Sequence, residues 1–401
     1  MTRKEFIKNT SVLGMGLPFL SALLNACEKE DFSIIDTASN YQGKVIVVGA
    51  GAAGITAGYL LQRQGIDFQI LEASSIHGGR VKKMDGFADF PIDLGAEWIH
   101  TNPSILAELL DDPNVDAKVD IIKYRPQTYY FYNNGELKRR NFVRNFYGEH
   151  KFKNSTWFDY FDQYMIPSFQ EKIIYNSPVA AIDYSGGQVK LSTTNGQEYA
   201  ADKVLITVPL TILQQNFIQF SPALPNNKVE AIQSITMPAG LKMFIEFSEC
   251  FYPDMLIEGT IGEFLAGGDG DRIFYNAAFR KEANRHVLGL FTVGEVARRY
   301  TDLDSNDAIF NKVMEELDTY FDGKASQHYV QHIIQNWSAE PYIRGSYSYD
   351  YTQNRDRTIS TILEPINNQI YFAGEALNYY DSSTVHGAAQ TAYQALEVMF
   401  E

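Results

Sequence analysis

The chain is poor in cysteine: its 401 residues carry two, Cys27 and Cys250. That number excludes a disulfide framework, so the fold must stand on its apolar cores. Basic residues are in deficit too, with 34 Lys and Arg against 49 Asp and Glu and a formal charge of −15. This balance argues against a nucleic-acid partner and draws cations, although acidic surfaces also serve solubility alone. The apolar run from Val12 to Leu24 is too short to span a bilayer comfortably as a helix. Metal chemistry finds little support. His328 and His332 lie four apart in a β-like stretch without a zinc-protease acid between them. Asp302, Asp304 and Asp307 lack the glycine and distal glutamate of a calcium loop. A GxSxG elbow, an internal repeat, a low-complexity tract and a Pro/Gly-rich linker are all missing. What is present is 45% hydrophobic content over a length that exceeds one core, which implies two globular domains.

Lys44-Val45-Ile46-Val47-Val48 predicts a short buried strand, and Ala52, Ala53, Gly54, Ala57 and Gly58 open a helix carrying Ile55, Leu60 and Leu61. Between them, Gly49 permits a tight turn, Gly51 lets the backbone approach a pyrophosphate, and Gly54 allows close helix-to-strand contact. The phosphates of a dinucleotide then sit at the helix N-terminus. The next strand, Asp67–Leu71, ends in Glu72, a carboxylate placed to accept hydrogen bonds from ribose hydroxyls and to disfavour a 2′-phosphate. Gly78-Gly79-Arg80 follows, a glycine pair beside a planar guanidinium suited to the same ligand.

With Asp93-Leu94-Gly95-Ala96-Glu97-Trp98 added, the order GxGxxG, Glu, GGR, D-x-GA-x-W resembles the flavin-containing amine oxidase family. Val204–Leu210, Phe220–Pro225 with Lys228, Gly240–Phe247, and Trp337 with Gly345–Ser348 extend the resemblance, which runs over about residues 44 to 397 and leaves 101–170 variable. It implies an α/β architecture in which a doubly wound, Rossmann-like FAD domain (43–100, 170–238 and 348–401) is interleaved with an α+β substrate domain (101–169 and 239–347). It implies cofactor contacts at Gly49, Gly51, Gly54, Glu72, Gly79, Arg80, Gly95, Ala96, Glu97, Trp98, Val179 and Trp337. At the C-terminal end it adds Gly374, Glu375 for the ribityl chain, Thr384, Val385 and Ala388. Gly387 and Ala388 open a helix whose N-terminus stabilises negative charge at the pyrimidine edge.

Lys242 stands between Leu241 and Met243-Phe244-Ile245, where strand alternation and apolar neighbours desolvate it and favour a neutral amine able to hold a water. By resemblance it contacts flavin N5 through that water and assists reoxidation. Family members that tether FAD covalently carry cysteine where this chain has Ser346, so a non-covalent flavin is expected. Members acting on arylalkyl monoamines face two tyrosines across the flavin; here Tyr347 matches one and Thr384 takes the place of the other. Ser383–Ala388 and Trp98-Ile99-His100 are more similar to polyamine oxidases and histone-lysine demethylases, which makes His100 a candidate ligand for a substrate amine. The expected reaction is hydride transfer from an amine, giving imine, then aldehyde, with O2 reduced to hydrogen peroxide. Two alternatives stand beside it. An L-amino-acid oxidase needs an arginine for the substrate carboxylate, with Arg125, Arg144 and Arg344 as candidates; a surface lipoprotein binds flavin without turnover. An NAD(P)H reductase would want a second glycine-rich strand–turn–helix, and none is visible.

Elsewhere, helices are predicted over 101–121 and 155–175, with another from Ser305-Asn306-Asp307 to about Phe321 that places Ile309, Val313, Leu317 and Phe321 on one stripe. Thr128–Tyr132 predicts a packing strand entering an Asn134-Gly135 hairpin turn. Residues 1–26 have the layout of a signal peptide: Arg3 and Lys4, an apolar run, then Leu24-Asn25-Ala26-Cys27, which resembles a bacterial lipoprotein cleavage box. Thr2–Lys8 resembles a twin-arginine signal with Lys4 in place of the second arginine, a route that suits a protein folded around its cofactor before export. Residues 27–42 form an acidic tether similar to a surface-export tag. The expected location is therefore an exported lipoprotein on the periplasmic side or cell surface, touching membrane only through lipidated Cys27. Cys27→Ser should move the protein from the membrane fraction to the soluble one; unchanged fractionation would sink the anchor.

Overall fold

The structure, a computed structural model, describes residues 41–141, 148–260 and 270–401. The expected leader, Cys27, all but the last two tether residues, and Arg144 lie outside the described residues. Among the described residues no helix is long and apolar enough to cross a membrane.

β1 (Lys44–Val48), α1 (Ala52–Arg63) and β2 (Asp67–Leu71) form where the apolar patterning predicts. β1 lies inside a five-stranded sheet ordered Ile173–Ile174, β2, β1, Lys203–Ile206, Ile370–Phe372. Every pairing in this sheet is parallel. Three stretches far apart in sequence therefore build one sheet. Its register aligns Val48 with both Leu71 and Ile206, and Ile206 with Phe372, so four carboxyl ends share one edge. The crevice outside that edge is where open α/β sheets bind ligands.

Strand alternation divides the sheet between two cores. Val45 and Val47 face a cluster with α1, the helix Trp157–Tyr164 and the C-terminal helix Val385–Phe400, whereas Ile46 and Val48 face the other side. That second side is covered partly by a four-stranded sheet spanning residues 179–221, through Val179, Ile182, Val189 and Leu191, and partly by short helices. The helix-only cover of a simple doubly wound fold is thus replaced on one face by alternating apolar strands. The fold class is otherwise as expected.

A seven-stranded sheet forms the other lobe, in the order Tyr329–Asn336, Gly240–Phe247, His286–Gly294, Gly270–Asn276, Met255–Glu258, Tyr129–Asn133, Glu136–Arg139. Asn134 and Gly135 take φ of 52° and 80°, the left-handed pair that a two-residue hairpin turn requires. Tyr129 and Phe131 pack into the core. The helix Asn306–Phe321 is capped by Ser305, whose hydroxyl accepts from the Ala308 N–H at 3.1 Å. It buries Ile309, Val313, Met314 and Leu317.

Two helix predictions shrink. Residues 101–121 form only the turn Ile105–Glu108, because Asp111 turns left-handed at φ 40° and Pro113 bars helix at the residue before it. The segment 155–175 is α-helical only over Trp157–Tyr164 and then tightens into 3₁₀ turns around Pro167. Residues 101–169 also divide between cores: Leu109, Trp157 and Phe161 pack with α1, while Tyr124 and Tyr129 pack with the larger sheet.

Gly49 sits at φ 103°, and a Cβ on Gly54 would collide with the Gly49 carbonyl oxygen, so the turn and α1 close only with glycine at both places. Because the obstacle is backbone, Gly54→Ala should cost about 1–3 kcal/mol. A lower thermal midpoint with loss of bound flavin checks this; a fully loaded, equally stable variant would refute it.

Candidate active site

A cavity of about 700 Å³ runs along the carboxyl edge of the parallel sheet and on between the lobes. At one end it is lined by Gly49, Gly51, Ala52 and Ala53 of the glycine turn. No side chain caps α1, so its first-turn N–H groups remain available to an anion. Glu72 lines the same end and is buried; its carboxylate accepts from the Ala50 N–H at 2.7 Å and the Ser74 N–H at 2.8 Å. Burial pushes its pKa up against those bonds, which oppose the shift. His77 completes this wall, stacked on Phe158 at 4.9 Å, with Nδ1 2.9 Å from the Tyr175 hydroxyl.

Along the middle, Gly79, Arg80, Gly95, Ala96, Val179 and Gly374 line the cavity. Arg80 Nη1 donates to the Ser346 carbonyl at 2.9 Å and to Glu375 Oε1 at 2.8 Å. Glu375 also accepts from the Ser348 N–H at 3.1 Å, the Ser348 hydroxyl at 2.6 Å and the Ser383 N–H at 3.0 Å. This carboxylate, expected to meet the ribityl chain, therefore also ties Arg80, the crossover around Ser348 and the turn before the last helix to one point. Thr384 caps that helix: its hydroxyl accepts from the Gly387 N–H at 3.0 Å and donates to the Asp381 carbonyl at 2.6 Å. With Val385 and Ala388 it presents the helix N-terminus to the cavity.

At the far end stand Lys242, Trp337 and Tyr347, with Phe291 and Thr292 beside them. Trp337 is fixed by its indole N–H to the Leu94 carbonyl at 3.0 Å. Lys242 departs from expectation. Rather than standing among apolar neighbours, its Nζ donates to the Asp93 carbonyl at 2.6 Å, the Gly95 carbonyl at 3.1 Å and Glu97 Oε2 at 2.8 Å. The other Glu97 oxygen accepts from Lys151 at 2.6 Å, and the Tyr275 hydroxyl also bonds Glu97. Burial alone would raise the Glu97 carboxyl, but the Lys151 and Lys242 ammonium groups override it and hold it well below the usual carboxylate range. Asp93 is pushed up to about 8 by burial and by Glu97.

Several expected residues fall elsewhere. Glu97 and Trp98 are not part of the cavity lining; Trp98 packs edge-on to Tyr124 at 4.9 Å with Lys151 over its ring. Gly54 serves the turn rather than the wall. His100, the candidate amine ligand, is also off the lining, 3.3 Å from the buried Glu149 carboxylate, because strand alternation turns it away from the Ile99 core. Sequence reasoning missed Lys151, His77 and Phe158. Only the burial of alternate positions in Glu149–Phe152 marks Lys151, and a lysine there gives no local sign of its partner.

A sequence profile of the flavin containing amine oxidoreductases matches residues 52–159 and 158–398, and the chain belongs to that family. It is 25% identical to polyamine oxidase 2 of Arabidopsis thaliana, over 88% of this chain and 87% of that protein. It is 26% identical to lysine-specific histone demethylase 1B of Mus musculus, over 87% of this chain but 52% of the relative. The chain thus spans about half the length of the mouse demethylase and, at 55%, of the human lysine-specific histone demethylase 2. Wild-type putrescine oxidase bound to putrescine shares the fold, with a TM-score of 0.73 at 15% identity over 90% of this chain and all of that one. Membership in that family implies a flavin cofactor, FAD. The uncapped α1 terminus, the buried Glu72 and the lined cavity fit that cofactor.

Glu375→Ala would leave the Ser348 and Ser383 donors unsatisfied, at a cost of about 1–3 kcal/mol. A lower thermal midpoint and a lower flavin-to-protein absorbance ratio are expected together; full loading at unchanged stability would contradict this role.

Proposed function

We propose that the chain oxidises an amine of the polyamine type, a secondary amine in particular, to an imine that water hydrolyses to aldehyde and a shorter amine. The observation that carries this is one continuous cavity joining the glycine turn and Glu72 to Lys242, Trp337 and Tyr347. When bound, FAD would supply a two-electron acceptor for the amine's α-hydride, with O2 as terminal oxidant reduced to hydrogen peroxide. The residues do the rest. The α1 terminus, Glu72 and Arg80 hold the two phosphates and the ribose. Leu241, Phe291 and Ile343 give the reacting end an apolar wall, which favours the uncharged amine over its ammonium form. Tyr347 and Thr384 flank the substrate; a threonine in place of a second aromatic leaves width for an unbranched aliphatic amine. Lys242 places a fixed positive charge and, with the C-terminal helix N-terminus, stabilises the electrons gained.

Support for a polyamine comes from the named relatives and from the chain's acidic balance. The L-amino-acid reading loses ground, because Arg80 alone among the described arginines lines the cavity, and it is engaged by Glu375. Arg344 is exposed, 4.5 Å over the Phe217 ring. FAD is held without a covalent bond: Ser346 stands in the wall where a thiol would be needed, and Cys250 is exposed away from the cavity. Export and lipid anchoring through Cys27 belong to the same proposal.

Anaerobic mixing of residues 28–401 with spermidine, a monoamine and an L-amino acid, while the yellow flavin band is followed, tests this reading. Bleaching by spermidine first is expected. Bleaching by the amino acid alone would overturn the substrate class, and colour that persists with all three would favour a flavin-binding protein without amine turnover.

A further inference from the structure

The acid and base groups behind Lys242 form a closed set. Glu97 lies between Lys242 and Lys151, and Tyr275 donates to it. Asp93 and Lys281 complete the group, both reaching the others through space in a region sealed by Trp98, Tyr124 and Tyr275. Lys151 has three aromatic rings within 5.5 Å of its ammonium. Among these groups only Lys242 lines the cavity. Buried charges of this kind add little net stability compared with well-packed apolar side chains, so their retention calls for a role in register or geometry.

The geometry supplies one. All three acceptors of Lys242 belong to residues 93–97: two backbone carbonyls and one carboxylate. The carbonyls are fixed by backbone, since the Leu94 and Gly95 N–H groups both bond the Lys82 carbonyl and Ala96 bonds that of Arg80. Glu97 is the one movable acceptor, and its position is set from the far side by Lys151. Chemistry in the cavity needs its charged group placed to a fraction of an ångström. We infer that Glu97, braced by Lys151 and Tyr275, is a positioning residue that fixes where the Lys242 ammonium stands relative to bound FAD. This rests on the reading of Lys242 given under Proposed function. It adds a mechanical chain from Trp98 and Tyr124, through Lys151 and Glu97, to the cavity wall. Packing of Trp98 and Tyr124 against the Lys242 face of the larger sheet is thereby coupled to the electronics of the site.

A double-mutant cycle on the holoenzyme tests the inference, with the reduction potential of the bound flavin and the rate of its reoxidation by O2 as readouts. Lys242→Met should lower the potential and slow reoxidation by about tenfold, and Glu97→Gln should slow reoxidation to a comparable extent. In the Lys242→Met background, Glu97→Gln should change the reoxidation rate less than about twofold, because its effect on that rate passes through the missing lysine. Tyr275→Phe, which keeps every charge, should act in the same direction more weakly and serves if Glu97→Gln folds poorly. Glu97→Asp should recover part of the loss. An undiminished effect of Glu97→Gln without Lys242, or unchanged reoxidation rates in both Glu97→Gln and Tyr275→Phe, would overturn the positioning role. Lys242→Met without effect would instead overturn the assigned role of Lys242 itself.

Discussion

One carboxylate holds the cavity together. Glu375 gathers the guanidinium of Arg80, the backbone and hydroxyl of Ser348 and the backbone of Ser383, groups drawn from three widely separated parts of the chain. Arg80 in turn reaches the Ser346 carbonyl, so the glycine-pair segment, the crossover between the lobes and the lead-in to the last helix converge within hydrogen-bond distance. The other supports, Thr384 on its helix and Trp337 on the Leu94 carbonyl, act within a frame that Glu375 closes.

The site is electrostatically layered. At the glycine turn the protein offers backbone donors and one buried acid, an arrangement for phosphate and ribose. At the far end it offers a cation held by acceptors of its own, with apolar walls around it. One carboxylate, Glu97, is shared there between Lys151 and Lys242, so these buried charges are held in ion pairs. Low-dielectric surroundings make such an arrangement effective, since it has no water to reorganise.

Legibility in the sequence followed locality. β1, the glycine turn, α1, β2 and Glu72 lie within thirty residues, and each signal is a neighbour of the next. The Asn134-Gly135 hairpin and the Ser305 cap were legible for the same reason. Lys242 was legible as a buried lysine on a strand, but its partners were not, because Glu97 comes from a distant loop and Lys151 from another strand, and nothing in either segment points to the other. His100 illustrates the reverse: its neighbours resemble a substrate-binding segment, yet the structure places it beside Glu149 and off the cavity lining. The helix predicted over 101–121 failed where helical periodicity met Pro113 and a left-handed Asp111. The strands covering the second face of the parallel sheet follow from their apolar alternation, which competes with the simpler expectation of helices there.

β1 pairs on one side with β2, made soon after it, and on the other with Lys203–Ile206, beyond which lies Ile370–Phe372, both synthesised much later. A chain emerging N-terminus first therefore carries its nucleotide turn long before the opposite wall exists, because Glu375 and the helix Val385–Phe400 come much later in the order of synthesis. Cofactor capture is consequently a late event in the life of each molecule. Any cellular process that acts on the nascent chain meets a flavoprotein without its flavin pocket.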